Sequence, residues 1–445
     1  MKRMLLILLL AVFVIGHAGD AKMSSLLLPY WAMDDEQGIM YFPTWLAAFP
    51  DMARVEASPF GIYDPYGGFH LRYGDSMYFA LYVNRPYAND IGEMWSEPGA
   101  DTLGIYAPYI TPNNYLDLIL CMNMGDAMKL GFKFNYANNS WDDNYVYTTQ
   151  PNPAVGDDDW TERQYARELN FTVDLMMLDF AFLKSFNIGV DFGLPSMLYE
   201  EDYLSITGVA PIVWSRVYNT SETDGASYIA VRLFGNTKGT RLFASADFNN
   251  ISHLETWSDD AGNDGVFEAI YNTSTAQHIT RIKAGLSRSF TNKAITFVYG
   301  GYLHYDHMSW EQQDYDGLAT PTVIDEMYNY SESDFSIPIF MSAILRVKNW
   351  FEGYAGFYAP MFYSWSSKDE DPDLAGGVYT DTTTDDYKEG YFPYVYTMLG
   401  VGFKFPNWRA DLTLYPTSIF NPYLLTGNVG TSMVMYLTLT YYWNK

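Results

Sequence analysis

Cys121 is the single cysteine in 445 residues, so no internal disulfide can be drawn. Cations are scarce as well: 26 Lys and Arg stand against 53 Asp and Glu, a net charge of -27. So anionic a surface repels nucleic-acid phosphate and argues against that class of partner. Beyond the first residues there is no apolar run near the ~20 that a spanning helix requires. His70, His253, His278, His304 and His307 sit in no recognisable nucleophile motif, and no nucleotide-binding loop appears. The stretch SDDAGNDG at 258 to 265 fails as a calcium loop, since the twelfth position from Asp260 is Tyr271 in place of Glu. The expectation is a non-enzyme with no catalytic residues, no cofactor and no metal.

Aromatic residues are abundant: 39 Tyr, 28 Phe and 12 Trp make up 18% of the chain. In MKRMLLILLLAVFVIGHAGDAK, Lys2 and Arg3 precede an apolar run from Met4 to Ile15, and small residues follow it. This is the pattern of a secretory signal peptide, assigned to residues 1–21, with cleavage after Ala18 or Ala21.

The remainder alternates with period two, which places successive side chains on opposite faces of a strand. Leu116, Leu118, Leu120 and Met122 interleave with Asp117, Ile119 and Cys121; after Gly125-Asp126, Leu130, Phe132 and Phe134 interleave with Lys129, Gly131 and Lys133. A Gly-Asp link between two such runs signals a hairpin. Similar runs recur to the end of the chain, where Leu437, Leu439, Tyr441 and Trp443 alternate with Thr438, Thr440 and Tyr442. Short links near 75, 125, 180, 237, 291, 348 and 406 alternate with long ones at about 85–114, 138–164, 195–226, 250–276, 307–334 and 365–390.

That rhythm defines the expected fold: all-β, an up-and-down antiparallel transmembrane β-barrel of about 16 strands (14 if the first pair is discounted), with short periplasmic turns and long acidic extracellular loops. The rival is a soluble secreted β-protein, disfavoured by strands of ~10 to 13 residues against a usual ~5 to 6. Residues 22–50 form an N-terminal segment, a hatch or a periplasmic lead-in, and residues 51–445 the barrel. In a single-walled barrel the apolar positions face lipid and the alternate ones the lumen. The lumen-lining candidates are Lys129, Lys133, Asp174, Asp191, Arg281, Lys283, Arg346, Lys404, Arg409 and Asp411.

The stretch DDEQGIMYFPTWLAAFPDMARVE, residues 34–56, resembles the entry of barrels of the Gram-negative long-chain fatty-acid transporter family, a superfamily for transport of hydrophobic compounds. Phe42-Pro43-Thr44-Trp45-Leu46 stands where that family carries an Asn-Pro-Ala-x-Leu-like segment, with Phe for Asn and Thr for Ala. The resemblance implies a 14-stranded barrel, an N-terminal hatch inside the lumen and passage of hydrophobic molecules. The last strand resembles the C-terminal sorting signal of outer-membrane proteins, with Tyr436, Tyr441 and Trp443 in its aromatic places and Thr438 where glycine is usual.

The functional expectation is an outer-membrane barrel acting as a porin-like passive channel or transporter for small molecules, its partners being outer-membrane lipid and the barrel assembly machinery. The other reading is a non-conducting surface barrel that displays acidic loops. The face assignment predicts that Leu130→Arg costs ~2 to 4 kcal/mol in refolding into bilayers, whereas Lys133→Gln leaves folding nearly intact and alters at most ion preference. Equal losses would mean the faces are misassigned.

Overall fold

The computed structural model describes residues 26–33, 35–57, 66–84, 114–147, 158–207, 213–260, 269–316, 324–375, 378–391, 395–414 and 434–443. The signal-peptide assignment and Tyr436's side chain lie outside the described residues. Two short 3-10 helices, Glu36–Met40 and Pro43–Ala48, come first. They are followed by β1 (Met52–Ala57), β2 (Tyr66–Tyr73), β3 (Met77–Val83), β4 (Asn114–Asn123), β5 (Met128–Tyr147), β6 (Asp158–Leu178), β7 (Ser185–Thr207), β8 (Val213–Asn236) and β9 (Thr240–Asp260). The second half holds β10 (Ala269–Thr291), β11 (Ile295–Asp316), β12 (Ile324–Lys348), β13 (Phe351–Ala375), β14 (Val378–Tyr391), β15 (Tyr396–Lys404), β16 (Trp408–Leu414) and β17 (Val434–Tyr442).

Each strand pairs antiparallel with its neighbours, and β1 pairs with both β2 and β17, which closes the sheet on itself. The first half of β13 pairs with β15 and its second half with β14, so β14 and β15 share one place in the wall and the barrel has 16 staves. That is two more than the family resemblance implies. Glycines with positive φ turn the chain at Gly125 (76°) and Gly239 (87°), in tight links at the same end of the barrel as β1's start and β17's end.

Alternation sorts the faces. On β8, Ile229, Val231 and Leu233 are exposed outside while Tyr228, Ala230 and Arg232 are buried inside; on β6, Phe171 and Val173 face out against Asn170, Thr172 and Asp174 within. The belt continues through Leu242, Phe248, Ile282, Leu286, Met341 and Leu345, an uncovered apolar wall that water would not tolerate over such an area.

The strands run well past this belt. β5 to β13 are 20 to 25 residues long, against the ~9 to 11 that cross a bilayer. Much of what the sequence assigns to long loops is therefore strand: residues 138–147 pair with 158–167, 307–316 with 271–280, and 307–315 with 324–333. These segments are too polar to show an apolar rhythm, yet their backbone groups continue ladders begun below them. Proline marks two of the breaks in register. Pro195 interrupts the β7–β8 register between Gly193 and Leu198, where the Met197 N–H instead donates to Thr223 Oγ1 at 3.0 Å, and Pro338 sits at the shift between β12 and β13.

The principal hydrophobic core lies inside the barrel. Leu26, Trp31, Ile39, Phe42 and Leu46 from the N-terminal segment pack against the wall's Phe234, Phe340 and Ile344, all of them buried. The segment occupies the lumen at the short-turn end, since its partners on β8, β9 and β12 lie within about eight residues of those turns.

Candidate functional site

Residues 26–49 touch the wall on many sides, and each contact has a definable cause. Pro43 opens the second 3-10 helix, where its missing N–H costs nothing. This presents Thr44 to β6 and β7. The Thr44 N–H donates to Asp174 Oδ2 at 3.0 Å, its hydroxyl donates to the same oxygen, and Asn187 Nδ2 donates to Thr44 Oγ1 at 2.8 Å. Asp174 is fully buried, so these donors are what stabilise a carboxyl group there. Next to it Lys133 Nζ donates to the Met40 carbonyl at 2.8 Å. Gly131 permits this approach, because a Cβ there would lie 2.6 Å from Thr44 N.

On the opposite side Trp31 stacks on Phe243 with centroids 5.3 Å apart and meets the edge of Phe340. Ser287 Oγ donates to the Ala32 carbonyl at 3.3 Å, and Ser342 Oγ to that of Leu26. Tyr30 and Tyr41 stack at 3.5 Å, and the Arg232 guanidinium lies 5.2 Å from the Tyr41 ring. Where the segment enters β1, Glu36 pairs with Arg54 at 2.5 Å, and Arg54 pairs with Glu56 at 2.6 Å. His70 is buried between the Phe49 carbonyl (2.5 Å) and Tyr82 Oη (2.8 Å); the tautomer with Nδ1–H satisfies both, Nε2 accepting from the phenol.

The sequence-selected lumen residues fall into distinct groups. Lys133 and Asp174 face inward as parity expects and contact the plug, the Lys133 ammonium through a backbone carbonyl that joins plug to wall. Asp191 pairs with Arg232, and Arg281 with Asp306 at 2.7 Å. Arg346, Lys404, Arg409 and Asp411 come together around Glu352, with Lys404 Nζ at 2.5 Å, Arg346 at 3.6 Å and Arg409 at 3.7 Å from it, and Arg409 at 2.6 Å from Asp411. Lys129 and Lys283 are half-buried on inward-facing positions of β5 and β10. At the closing strand Tyr441 packs against Trp408 at 4.7 Å and against Trp443 at 6.3 Å.

Sequence reasoning did not select Thr44, Arg54, Arg232 or Glu352. Strand parity alone marks Arg232 and Glu352 as inward, because they share a face with Ala230 and Tyr354. Thr44 stands in the Phe42–Leu46 segment that carries the resemblance, but nothing local shows its role, since its partners are 130 and 143 residues away.

The molecule is thus a closed β-barrel plugged from within by its own N-terminal segment. No family model matches the chain, and no curated protein matches it. Among solved structures, the CymD monoaromatic hydrocarbon channel is similar at 10% identity with a TM-score of 0.35, over 97% of this chain and 99% of that one. The Pseudomonas putida toluene transporter TodX matches at 11% identity and a TM-score of 0.34, over 97% and 98%. The ferric yersiniabactin uptake receptor FyuA from Yersinia pestis matches at 8% identity and 0.35, over 82% of this chain and 59% of FyuA, so the chain spans little more than half of that receptor.

Cys121 reports on the plug directly, since it is the chain's one thiol and lies buried with Sγ 3.6 Å from the Thr44 carbonyl. Gly131→Val, which drives a side chain into Thr44, should raise the rate of maleimide labelling at Cys121 in folded protein about tenfold or more, the equivalent of ~1.4 kcal/mol of lost plug stability. Lys133→Gln should act in the same direction to a smaller extent. Unchanged labelling in both variants would show that these contacts do not hold the segment.

Proposed function

We propose that the chain is a bacterial outer-membrane barrel that passes small molecules down their gradient, with residues 26–49 as the gate. The observation that carries this reading is that the lumen, an otherwise continuous passage in a barrel of this size, is filled at one end by a segment of the chain itself. A barrel serving only as a surface scaffold needs no such element. The plug is joined to the wall by aromatic faces and a few hydrogen bonds to its backbone, contacts that can be remade after a shift.

The aromatic floor also bears on what passes. Tyr30, Trp31, Tyr41 and Phe42 lie where a solute leaving the lumen would have to go, beside Phe234 and Phe243. Such a floor favours molecules with an apolar body over bare ions. The apolar belt outside suits a hydrocarbon environment, and insertion would rest on outer-membrane lipid and the assembly machinery. Transport of this kind is passive and calls for no catalytic residue.

Conductance and liposome swelling separate the readings. The intact chain should be silent or flicker, and a variant lacking residues 26–48 should form an open aqueous pore, as 16-stranded barrels do. Heat-modifiable mobility on a detergent gel checks that the variant has folded. A folded variant without conductance or swelling would favour the non-conducting surface barrel.

A further inference from the structure

The short-turn rim is not uniform in charge. From β2 to β7 each turn mixes signs: Arg72 with Asp75, Asp126 with Lys129, and Asp179 with Lys184. The next three turns do not. Lys238 stands in the β8–β9 turn, Arg288 and Lys293 flank the β10–β11 turn, and Lys348 ends β12; all four are exposed, and none has an ion-pair partner among the described residues. The nearest carboxylates on these strands, Asp247 and Glu352, are buried on the lumen side and already paired, the first with Arg232 and the second with Arg346, Lys404 and Arg409. This arc therefore presents four uncompensated positive charges in a chain whose net charge is -27.

Hydrogen bonds from each turn to the strand beyond it hold the arc in place. The Gly239 carbonyl accepts from the Ser289 N–H at 2.9 Å, the Ala294 carbonyl from the Arg346 N–H at 2.8 Å, and the Trp350 carbonyl from the Lys404 N–H at 2.8 Å. Consecutive turns lie two strands, or roughly 10 Å, apart, so the cations are spread along the rim. Aromatic rings stand among them. Arg288 lies on the outer face between Leu286 and Phe290, with Tyr299 opposite it on β11, and all three neighbours are exposed. Phe290 is 60% exposed, and Trp350, in the turn after Lys348, is 52% exposed. Bare rings at the edge of an apolar belt, with basic groups beside and just beyond them, are the composition of a surface at the boundary between hydrocarbon and headgroups. Arg288 suits that boundary, since its stem can lie along the apolar wall while the guanidinium reaches out of it. At the other end of the same strands the sign reverses, residues 307–334 holding seven carboxylates and no Lys or Arg.

We infer that the rim from β8 to β13 binds the phosphates of anionic phospholipid in the leaflet at the short-turn end, through Lys238, Lys293 and Lys348 from the turns and Arg288 from the outer wall. Phe290 and Trp350 seat the rim at the depth where acyl chains meet headgroups. Charge selects the lipid, because a zwitterionic headgroup offsets its own phosphate and an anionic one does not; each cation near an anionic surface favours it roughly fivefold. The carboxylates at the far end are repelled by the same surface, so the charge distribution also favours one direction of insertion. The inference goes beyond the transport reading and does not depend on conduction; it rests on the outer apolar belt facing hydrocarbon.

Native mass spectrometry of the full, detergent-folded chain tests it with two lipids of matched acyl chains, phosphatidylglycerol and phosphatidylcholine, and with inorganic phosphate as competitor. Adducts of phosphatidylglycerol should appear at about tenfold lower lipid concentration, and added salt should narrow the gap. Replacing Lys238, Arg288, Lys293 and Lys348 together by Gln should abolish the preference, and replacing the three turn lysines alone should remove most of it without touching the wall. Lys368→Gln, at an exposed cation in the distant half of β13, should leave it unchanged. Heat-modifiable mobility checks that each variant has folded. Equal retention of the two lipids, a preference that survives the turn-lysine variant, or one lost equally in Lys368→Gln would overturn the proposal. Displacement of the lipid by millimolar inorganic phosphate would assign the arc to free phosphate and overturn it as a lipid site. Folded protein that retains neither lipid would remove the membrane reading along with this one, whereas conduction by the plug-deleted chain stands or falls separately.

Discussion

Everything in this molecule depends on the pairing of β1 with β17. Met52 opposite Tyr442 and Val55 opposite Leu439 join the two ends of a sheet that would otherwise present two rows of unpaired N–H and C=O groups. In hydrocarbon each unpaired group costs several kcal/mol, so an open sheet with this outer face would not be viable there. Closure also fixes where residues 26–50 go. Because β1 begins at the short-turn end with its Asp51 carbonyl accepting from the Trp443 N–H, the chain before it is delivered to the lumen's mouth at that end.

The interior is then organised as two kinds of matter. Near the short turns the plug makes a packed aromatic and aliphatic core, with Trp31, Phe42 and Leu46 meeting Phe234, Phe243 and Phe340. Around and above it the wall is polar and mostly paired, as in Asp191 with Arg232, Glu352 with its three basic neighbours, and the Asn135–Asp117 contact at 2.8 Å. Buried charges are tolerated here because they face one another across adjacent strands, whose side chains on one face stand ~5 Å apart. The plug takes part through backbone atoms more than through side-chain charge: Thr44 N–H, Met40, Ala32 and Leu26 carbonyls are all contacts for wall side chains. Such contacts position the segment without demanding complementary charges on it.

Much of this was legible beforehand and some of it could not be. Alternation in stretches such as Leu116 to Met122 reveals strand, face and hairpin at once, because the signal is contained within a few residues. Sequence expects loops at the upper strand extensions, since a segment such as 307–316 is polar at most positions and has no apolar rhythm to betray a strand. The ten lumen candidates came from parity, which locates a side chain's face and is silent about its partner. That is why parity places Lys133 in the lumen without revealing that its ammonium holds a carbonyl 93 residues away.

The sequence by itself determined the class of fold: period-two patterning, turn residues and the rhythm of links are local properties, and a one-residue slip in any strand would turn its whole apolar set inward. Only the tertiary structure decided that the wall has 16 staves, with the interrupted β14 and β15 sharing one of them, and that residues 26–49 fill the lumen. The reason is that both outcomes are set by contacts between groups far apart in the chain. Thr44 with Asp174 and Trp31 with Phe243 come together only once closure has fixed the diameter and register of the whole barrel.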